Sequence, residues 1–320
     1  MAVYTEVDDA ELIDFVSTYD IGALLSCKGI AEGVENSNFY LQTRAGGFIL
    51  TLYEKRVRET DLPFFLNLMQ HLSARGLNCP QPVKNRNGDA LGRLSGRPAA
   101  IVSFLEGYSI HHPEPVHCAE LGVALARLHL AGGDFPMTRP NRLSVNDWRP
   151  LFAPYAERAD GLEQGLRALI ESELSLLERI WPRDLPGGVI HADLFPDNVF
   201  FLGERISGLI DFYFACTDAL AYDLAICLNA WCFGPDHVYR RDCGTALLMA
   251  YRQLRPMSKD EILAFPILAR GAAMRFLLTR FVDSINVPPG ALVRPKDPME
   301  YLSKLRFHRE IVAIDGYGLS

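Results

Sequence analysis

The stretch VIHADLFPDNVFFL, from Val189 to Leu202, packs a histidine, two aspartates and an asparagine into one turn between apolar runs. Thirteen residues past Asn198, Asp211 closes a second apolar run, ISGLIDF. Two short β runs separated by the turn residues GER read as a hairpin. A hairpin sets the residue that opens its first strand beside the one that closes its second. Any fold of this chain therefore has to bring Asn198 and Asp211 together, with His191 and Asp193 on the approach.

The surrounding pattern changes character once. Up to residue 105 the chain is strand-rich, with NFYLQT, RAGG and FILTLY forming one hairpin and DALGRL, SGR and PAAIVSFL another. A helix lies between them in DLPFFLNLMQHLSARG, with Asp61 as N-cap, Pro63 in its first turn and Gly76 as its stop. The polar, proline-bearing connector EGYSIHHPEP follows. From Val116 onward helical periodicity dominates, interrupted only by the VFFL/ISGLIDF hairpin. This predicts an α+β chain with a small β-rich lobe at 1–105, a larger helical lobe at 106–320 and a cleft between them, a common home for ligands. A length of 320 residues is ample for two such lobes.

Composition removes other classes. With 49% apolar and 22% charged residues, disorder is excluded. A net charge of −7 argues against a nucleic-acid partner, which needs a basic face. Seven cysteines without a C-x-x-C pair read as packed thiols. No leader pattern opens the chain and no run is apolar enough to span a bilayer, so a cytoplasmic protein with no membrane partner is expected.

The string H-x-D-L-x-x-x-N followed by D-F suits phosphoryl transfer from ATP, which needs hard oxygen ligands for Mg2+ and a carboxylate near the attacking hydroxyl. On that reading Asp193 is the base and Asn198 and Asp211 hold the metal, while His191 braces the turn. The bland alternative is a polar loop with a capping aspartate. At these residues the chain resembles the aminoglycoside-phosphotransferase-like branch of the protein-kinase fold, which implies a bilobal kinase-like architecture. Ala192 stands where protein kinases carry arginine, Tyr213 stands where they carry glycine, and no A-P-E follows. An enzyme that phosphorylates proteins is thereby disfavoured.

Within that branch, EGVENSNFYLQT, FILTLYEKR, DLPFFLNLMQHL, PAAIVSFLEG and AAMRFLLTR resemble the bacterial homoserine kinases of this fold. The resemblance implies transfer of the ATP γ-phosphoryl group to the side-chain hydroxyl of L-homoserine. Gly29 and Gly33, with Asn36, Ser37 and Asn38, fall where a kinase folds a loop over phosphates. The strand lysine that pairs with phosphates would fall near Thr51, so Lys55 and Lys28 become the candidate cations, with Glu59 as the helix-borne partner. Adenine contacts would come from Ile49, Ile101 and the backbone of Ser103 to Leu105. A zwitterionic acceptor asks for an arginine and a carboxylate, for which Tyr213, Asp218 and Arg275 are candidates. Arg270, Arg275 and Arg280 recur every five residues, about 140° apart on a helix, and cannot share one pocket. Choline, an aminoglycoside or another amino alcohol as acceptor, and a silent nucleotide-binding scaffold, stay open.

Overall fold

A computed structural model describes residues 5, 7–30, 36–54, 58–286 and 295–319. Gly33 and Lys55 lie outside the described residues. The chain opens on α1 (Asp9–Ser17), which the sequence reading did not anticipate. Its N-cap is Asp8, whose carboxylate accepts from the backbone N–H groups of Ala10 and Glu11. Next come β1 (Leu24–Gly29), β2 (Ser37–Thr43) and β3 (Gly46–Leu52). Helix α2 (Leu62–Ala74), β4 (Gly92–Leu94) and β5 (Arg97–Ser103) complete the small lobe. The strands form one antiparallel sheet in the order β1-β2-β3-β5-β4.

Alternation along the strands gives this sheet two different faces. Phe39, Leu41, Leu50, Leu52 and Ile101 point outward and pack under Leu12 and Val16 of α1. Ile49, Thr51, Ala100 and Val102 occupy the opposite face, toward the large lobe, and Ala100 and Val102 are continuous with its core. Ile101 therefore makes no contact with the cleft, contrary to the expectation from sequence. The parity of β5 places Ala100 and Val102 there instead.

Helix α2 buries Leu62, Phe65, Leu68, Met69 and Leu72 at helical spacing. It stops at Gly76, whose φ of +84° is the left-handed conformation of a helix terminator. Asp61 makes no side-chain cap. Its carboxylate accepts from Arg139 Nε at 3.0 Å, and that guanidinium also donates to the Ala215 carbonyl and lies over the Phe65 ring. A long-range ion pair between the lobes has displaced a local cap.

The large lobe contains α3 (Pro115–Ala131), α4 (Val145–Phe152) and α5 (Leu166–Ile180), followed by β6 (Gly187–Ile190), β7 (Val199–Leu202), β8 (Arg205–Leu209) and β9 (Cys216–Ala219). Helices α6 (Leu220–Trp231), α7 (Arg241–Leu254), α8 (Lys259–Ile285) and α9 (Pro298–Glu310) close it. Helix α6 is buried along almost its whole length and forms the central pillar. Helices α3 and α7 cross at Gly122, where a Cβ would stand 2.4 Å from the Leu247 carbonyl oxygen. Only glycine permits that approach. By length and composition α8 could span a bilayer, yet 67% of its apolar window is buried inside the fold. Its Arg270 and Arg280 are paired there with Glu173 and Glu300. All seven cysteines are free thiols, and Cys27 alone among them is exposed.

Candidate functional site

Four short strands build the site by nesting. Strand β6 pairs antiparallel with β9, and inside that pair β7 pairs antiparallel with β8. The two linkers between the outer and inner pairs, His191–Asn198 and Ile210–Ala215, are thereby forced side by side. Ile210 N–H donates to the Asn198 carbonyl at 3.0 Å, and His191 Nε2–H donates to the Ile210 carbonyl at 3.0 Å. The His191 ring also packs on Phe212 at 4.6 Å. Burial lowers its pKa to about 4, so the imidazole is neutral and serves as a brace between the linkers.

Asp193 is half-buried in the first linker. Desolvation, followed by the charges of Asp211 and Asp197, pushes its carboxyl well above the usual carboxylate range, with Arg275 and Lys296 opposing. Asn198 Nδ2 donates to the Asp193 backbone carbonyl at 2.8 Å and to its Oδ2 at 3.2 Å. With its amide nitrogen turned inward, Asn198 has Oδ1 as its remaining oxygen for a cation. Asp211 sits at the mouth of the second linker in a left-handed conformation, φ +61° and ψ +64°. Ala192 is left-handed too, at φ +65°. Two non-glycine residues in this region within one corner mark a backbone held by its surroundings.

The holding groups are identifiable. Asp223 of α6 accepts from His191 N–H at 2.7 Å, Ala192 N–H at 2.8 Å and His129 Nε2–H at 3.1 Å. Burial alone would raise its pKa, but the hydrogen bonds it accepts from His129 and His191 hold it below the ordinary aspartate value. His129 in turn accepts from the Tyr251 hydroxyl at 2.8 Å, which fixes its tautomer. From the other side, Arg275 of α8 donates to the Ala192 carbonyl at 2.8 Å. Nothing in the sequence ties Asp223 to the turn 31 positions away.

The donor set fits magnesium. One carboxylate and one amide oxygen, Asp211 and Asn198, are hard ligands of the kind that leave room for phosphate oxygens and water. Among the described residues no group of three or more His, Cys, Asp or Glu forms a self-sufficient metal cage.

The small lobe meets this corner with neutral oxygens. Thr51 is 2% exposed and donates to Asn38 Oδ1 at 2.8 Å on the cleft face. The Tyr53 and Tyr213 hydroxyls are 3.1 Å apart, and burial pushes the Tyr213 phenol up to about 12. Asn36 and Ser37 are both buried and turned inward on Glu54: Asn36 Oδ1 accepts from Glu54 N–H, and Ser37 Oγ donates to Glu54 Oε1 at 2.9 Å. They anchor the end of the loop rather than extend from it. Gly29 ends β1 opposite Phe39, and Lys28 lies exposed on the same strand. Glu59 pairs with Arg93 at the lobe surface, so the α2 carboxylate that reaches the large lobe is Asp61.

At the connector, Ser103 Oγ accepts from Gln81 N–H, Leu105 packs against Gly208, and Tyr108 is paired through its backbone with Phe201. In β9, Asp218 accepts from Asn141 Nδ2 and from Ala219 N–H, both at 2.7 Å. Burial raises its pKa, and the Asn141 bond opposes that rise.

Residues 26–257 match the family described as "Phosphotransferase enzyme family". Proteins named homoserine kinase from Methylobacterium radiotolerans and Parvibaculum lavamentivorans are 66% and 64% identical to this chain over 318 and 319 residues. These alignments span 99% and 100% of this chain and 99% of each relative. Among solved structures, an amicoumacin kinase in complex with AMP-PNP, Ca2+ and Ami superposes with a TM-score of 0.68 at 14% identity, over 97% of this chain and 93% of its own. Choline kinase from Cryptosporidium parvum gives 0.68 at 13% identity, over 95% of each chain. At these identities the structural likeness is one of fold.

Proposed function

The chain belongs to the phosphotransferase enzyme family, and from that footing we propose that it is an ATP-dependent homoserine kinase, transferring the γ-phosphoryl group to the side-chain hydroxyl of L-homoserine, a step toward threonine. The observation that carries the acceptor assignment is the identity of more than three residues in five, end to end, with proteins named for that activity. In this reading residues 1–105 form the nucleotide lobe and 106–320 the catalytic and acceptor lobe, and the enzyme works in the cytoplasm on small molecules.

Asp193 is the base. It orients the acceptor hydroxyl and takes its proton as the new P–O bond forms and the bond between the γ-phosphorus and the β–γ bridging oxygen breaks, leaving ADP. A raised pKa suits a carboxylate that must accept a proton late in the step. Asn198 and Asp211 hold Mg2+, which when bound neutralises charge on the transferring phosphoryl oxygens. Asn198 at the same time fixes Asp193 through its amide. His191, Asp223 and Arg275 keep both linkers in register, so that the base and the metal-holding oxygens stay in one geometry.

The test is an acceptor panel in an ADP-coupled assay with Asp193→Asn alongside the wild type. L-homoserine should be the preferred acceptor, and the variant should lose turnover by ~10²–10⁴ with ATP binding little changed. Turnover of choline with none of homoserine would overturn the acceptor. Wild-type rates in the Asp193 variant would remove the base. Stabilisation by Mg·ATP without transfer to any acceptor would mark a silent scaffold.

A further inference from the structure

Helix α8 carries three arginines at five-residue spacing, and two of them show how a structural arginine in this fold is satisfied. Arg270 donates through Nε and Nη2 to the two oxygens of Glu173, both at 2.6 Å. Arg280 donates to Glu300 at 2.6 Å and to the Asp297 carbonyl. Arg275, between them, is different. It is 2% exposed, yet among the described residues no carboxylate lies within ion-pair distance of it. Among the described residues its one hydrogen bond of good geometry goes to the Ala192 carbonyl, and its buried Nε has no partner.

A carbonyl can be held by a neutral donor. A buried guanidinium with five donors and no carboxylate in ion-pair contact is a poor choice for that task alone. Among the described residues the hydroxyls of Tyr222 and Tyr301, both fully buried, make no hydrogen bond of good geometry, the Tyr222 hydroxyl facing the Arg275 guanidinium. Tyr301 packs its ring on Phe276 at 5.2 Å and on Phe195 at 6.5 Å, and the Arg275 guanidinium lies over the Phe276 ring at 4.6 Å. Unsatisfied buried polar atoms are few in folded proteins and each asks for an explanation. Half of those in this chain's described residues belong to these three side chains.

We propose that Arg275 is the specificity anchor for the acceptor's carboxylate. The inference rests on the homoserine-kinase reading and adds to it the residue that selects an amino acid over a simple amino alcohol. The placement fits the chemistry. Arg275 bonds the carbonyl of Ala192, the residue directly before Asp193. In extended homoserine four bonds, roughly 5 Å, separate the carboxylate carbon from the reacting oxygen. An anion on Arg275 therefore presents its hydroxyl about one residue away, at the base. An acceptor lacking the carboxylate leaves the buried cation unpaired, the situation in which sites built for a polar group reject its absence most strongly.

The experiment compares kcat/KM for L-homoserine and for 3-aminopropan-1-ol, which keeps the amine and the hydroxyl and lacks the carboxylate, in the wild type, Arg275→Met and Arg275→Lys. The wild type should prefer homoserine by ~10³ or more. In Arg275→Met both acceptors should lose turnover with the grip on Ala192, and the ratio should collapse by a further ~10²-fold or more, through the additional loss with homoserine, while KM for ATP moves less than about threefold. Equal losses on both acceptors would reduce Arg275 to a brace for the catalytic turn and overturn the proposal, as would a wild type that takes both acceptors alike. If Arg275→Met does not fold, the same ratio is read on Arg275→Lys, which keeps the charge and loses the fork; an undiminished ratio there overturns the proposal as well. A wild type inactive on homoserine is a separate result, refuting the proposed function itself.

Discussion

Replacing Asp223 by asparagine would be the most informative single change away from the reacting atoms. The carboxylate accepts three hydrogen bonds, from His191 N–H, Ala192 N–H and His129 Nε2–H, with no exposure to water. An asparagine side chain keeps one oxygen, and its NH2 group must face at least one of these donors. Each lost bond to a charged acceptor is worth about 1.5–3 kcal/mol, and the orphaned donor adds a desolvation penalty of about 1–3 kcal/mol. Ala192 is held at a left-handed φ of +65° by the same bonds, which itself costs about 1–2 kcal/mol. The expected loss of stability is therefore about 3–5 kcal/mol, read as a fall in urea midpoint at unchanged m. Release of the turn should also lower kcat by ~10²-fold, because the base drifts from the acceptor hydroxyl. The pH dependence has a definite sign. The folded pKa lies below the ordinary aspartate value, so the contribution is complete above about pH 4 and fades as pH falls through the folded value. A destabilisation under 1 kcal/mol with kcat intact would refute the clamp.

Gly122→Ala should destabilise by about 1–3 kcal/mol through overpacking, because the added methyl meets the Leu247 carbonyl at 2.4 Å in the α3–α7 crossing; a chemical-denaturation midpoint equal to wild type would contradict that. His308 bonds the Tyr317 hydroxyl and Asn229 Oδ1, and burial, aided by the charges of Lys304 and Arg270, lowers its pKa to about 3. An unfolded chain takes up this proton first, so the stabilising effect is complete above about pH 6.5 and is lost as pH falls. Between pH 7 and pH 5 the wild type should lose roughly 2 kcal/mol more than His308→Gln, and parallel stability curves for the two proteins would dismiss the buried neutral imidazole.

Features legible in the sequence were those whose cause is local. The β2–β3 and β4–β5 hairpins carry their own alternation and turn residues, and α2, α3 and α5 to α9 carry their own periodicity. The corner of Asp193, Asn198 and Asp211 was readable because a hairpin dictates it. Other features depended on distant partners. The run CTDA becomes β9 only because β6 lies alongside it. The exposed LLSCKG becomes β1 only by pairing with β2. Asp61 looked like a cap, and Arg139, 78 positions away, claimed it. Ile101 had the right residue type for the cleft and the wrong parity, a one-residue matter that apolar content does not decide.

The same distinction explains where catalytic precision resides. The turn bearing Asp193 has a proline and a 3-10 segment, Pro196–Asn198, and belongs to no α-helix or strand. Yet Ala192 is gripped at its N–H by an anion from α6 and at its C=O by a cation from α8. Among the described residues the small lobe meets this turn with the hydroxyls and amide of Thr51, Tyr53 and Asn38, Tyr53 reaching the Tyr213 hydroxyl of the large lobe. The charges that grip the Asp193 turn thus come from α6 and α8 of the large lobe. That arrangement requires the helices to be immobile, and the burial of α6 along its length, with Trp231 Nε1–H donating to the Leu194 carbonyl at 2.7 Å, supplies the rigidity.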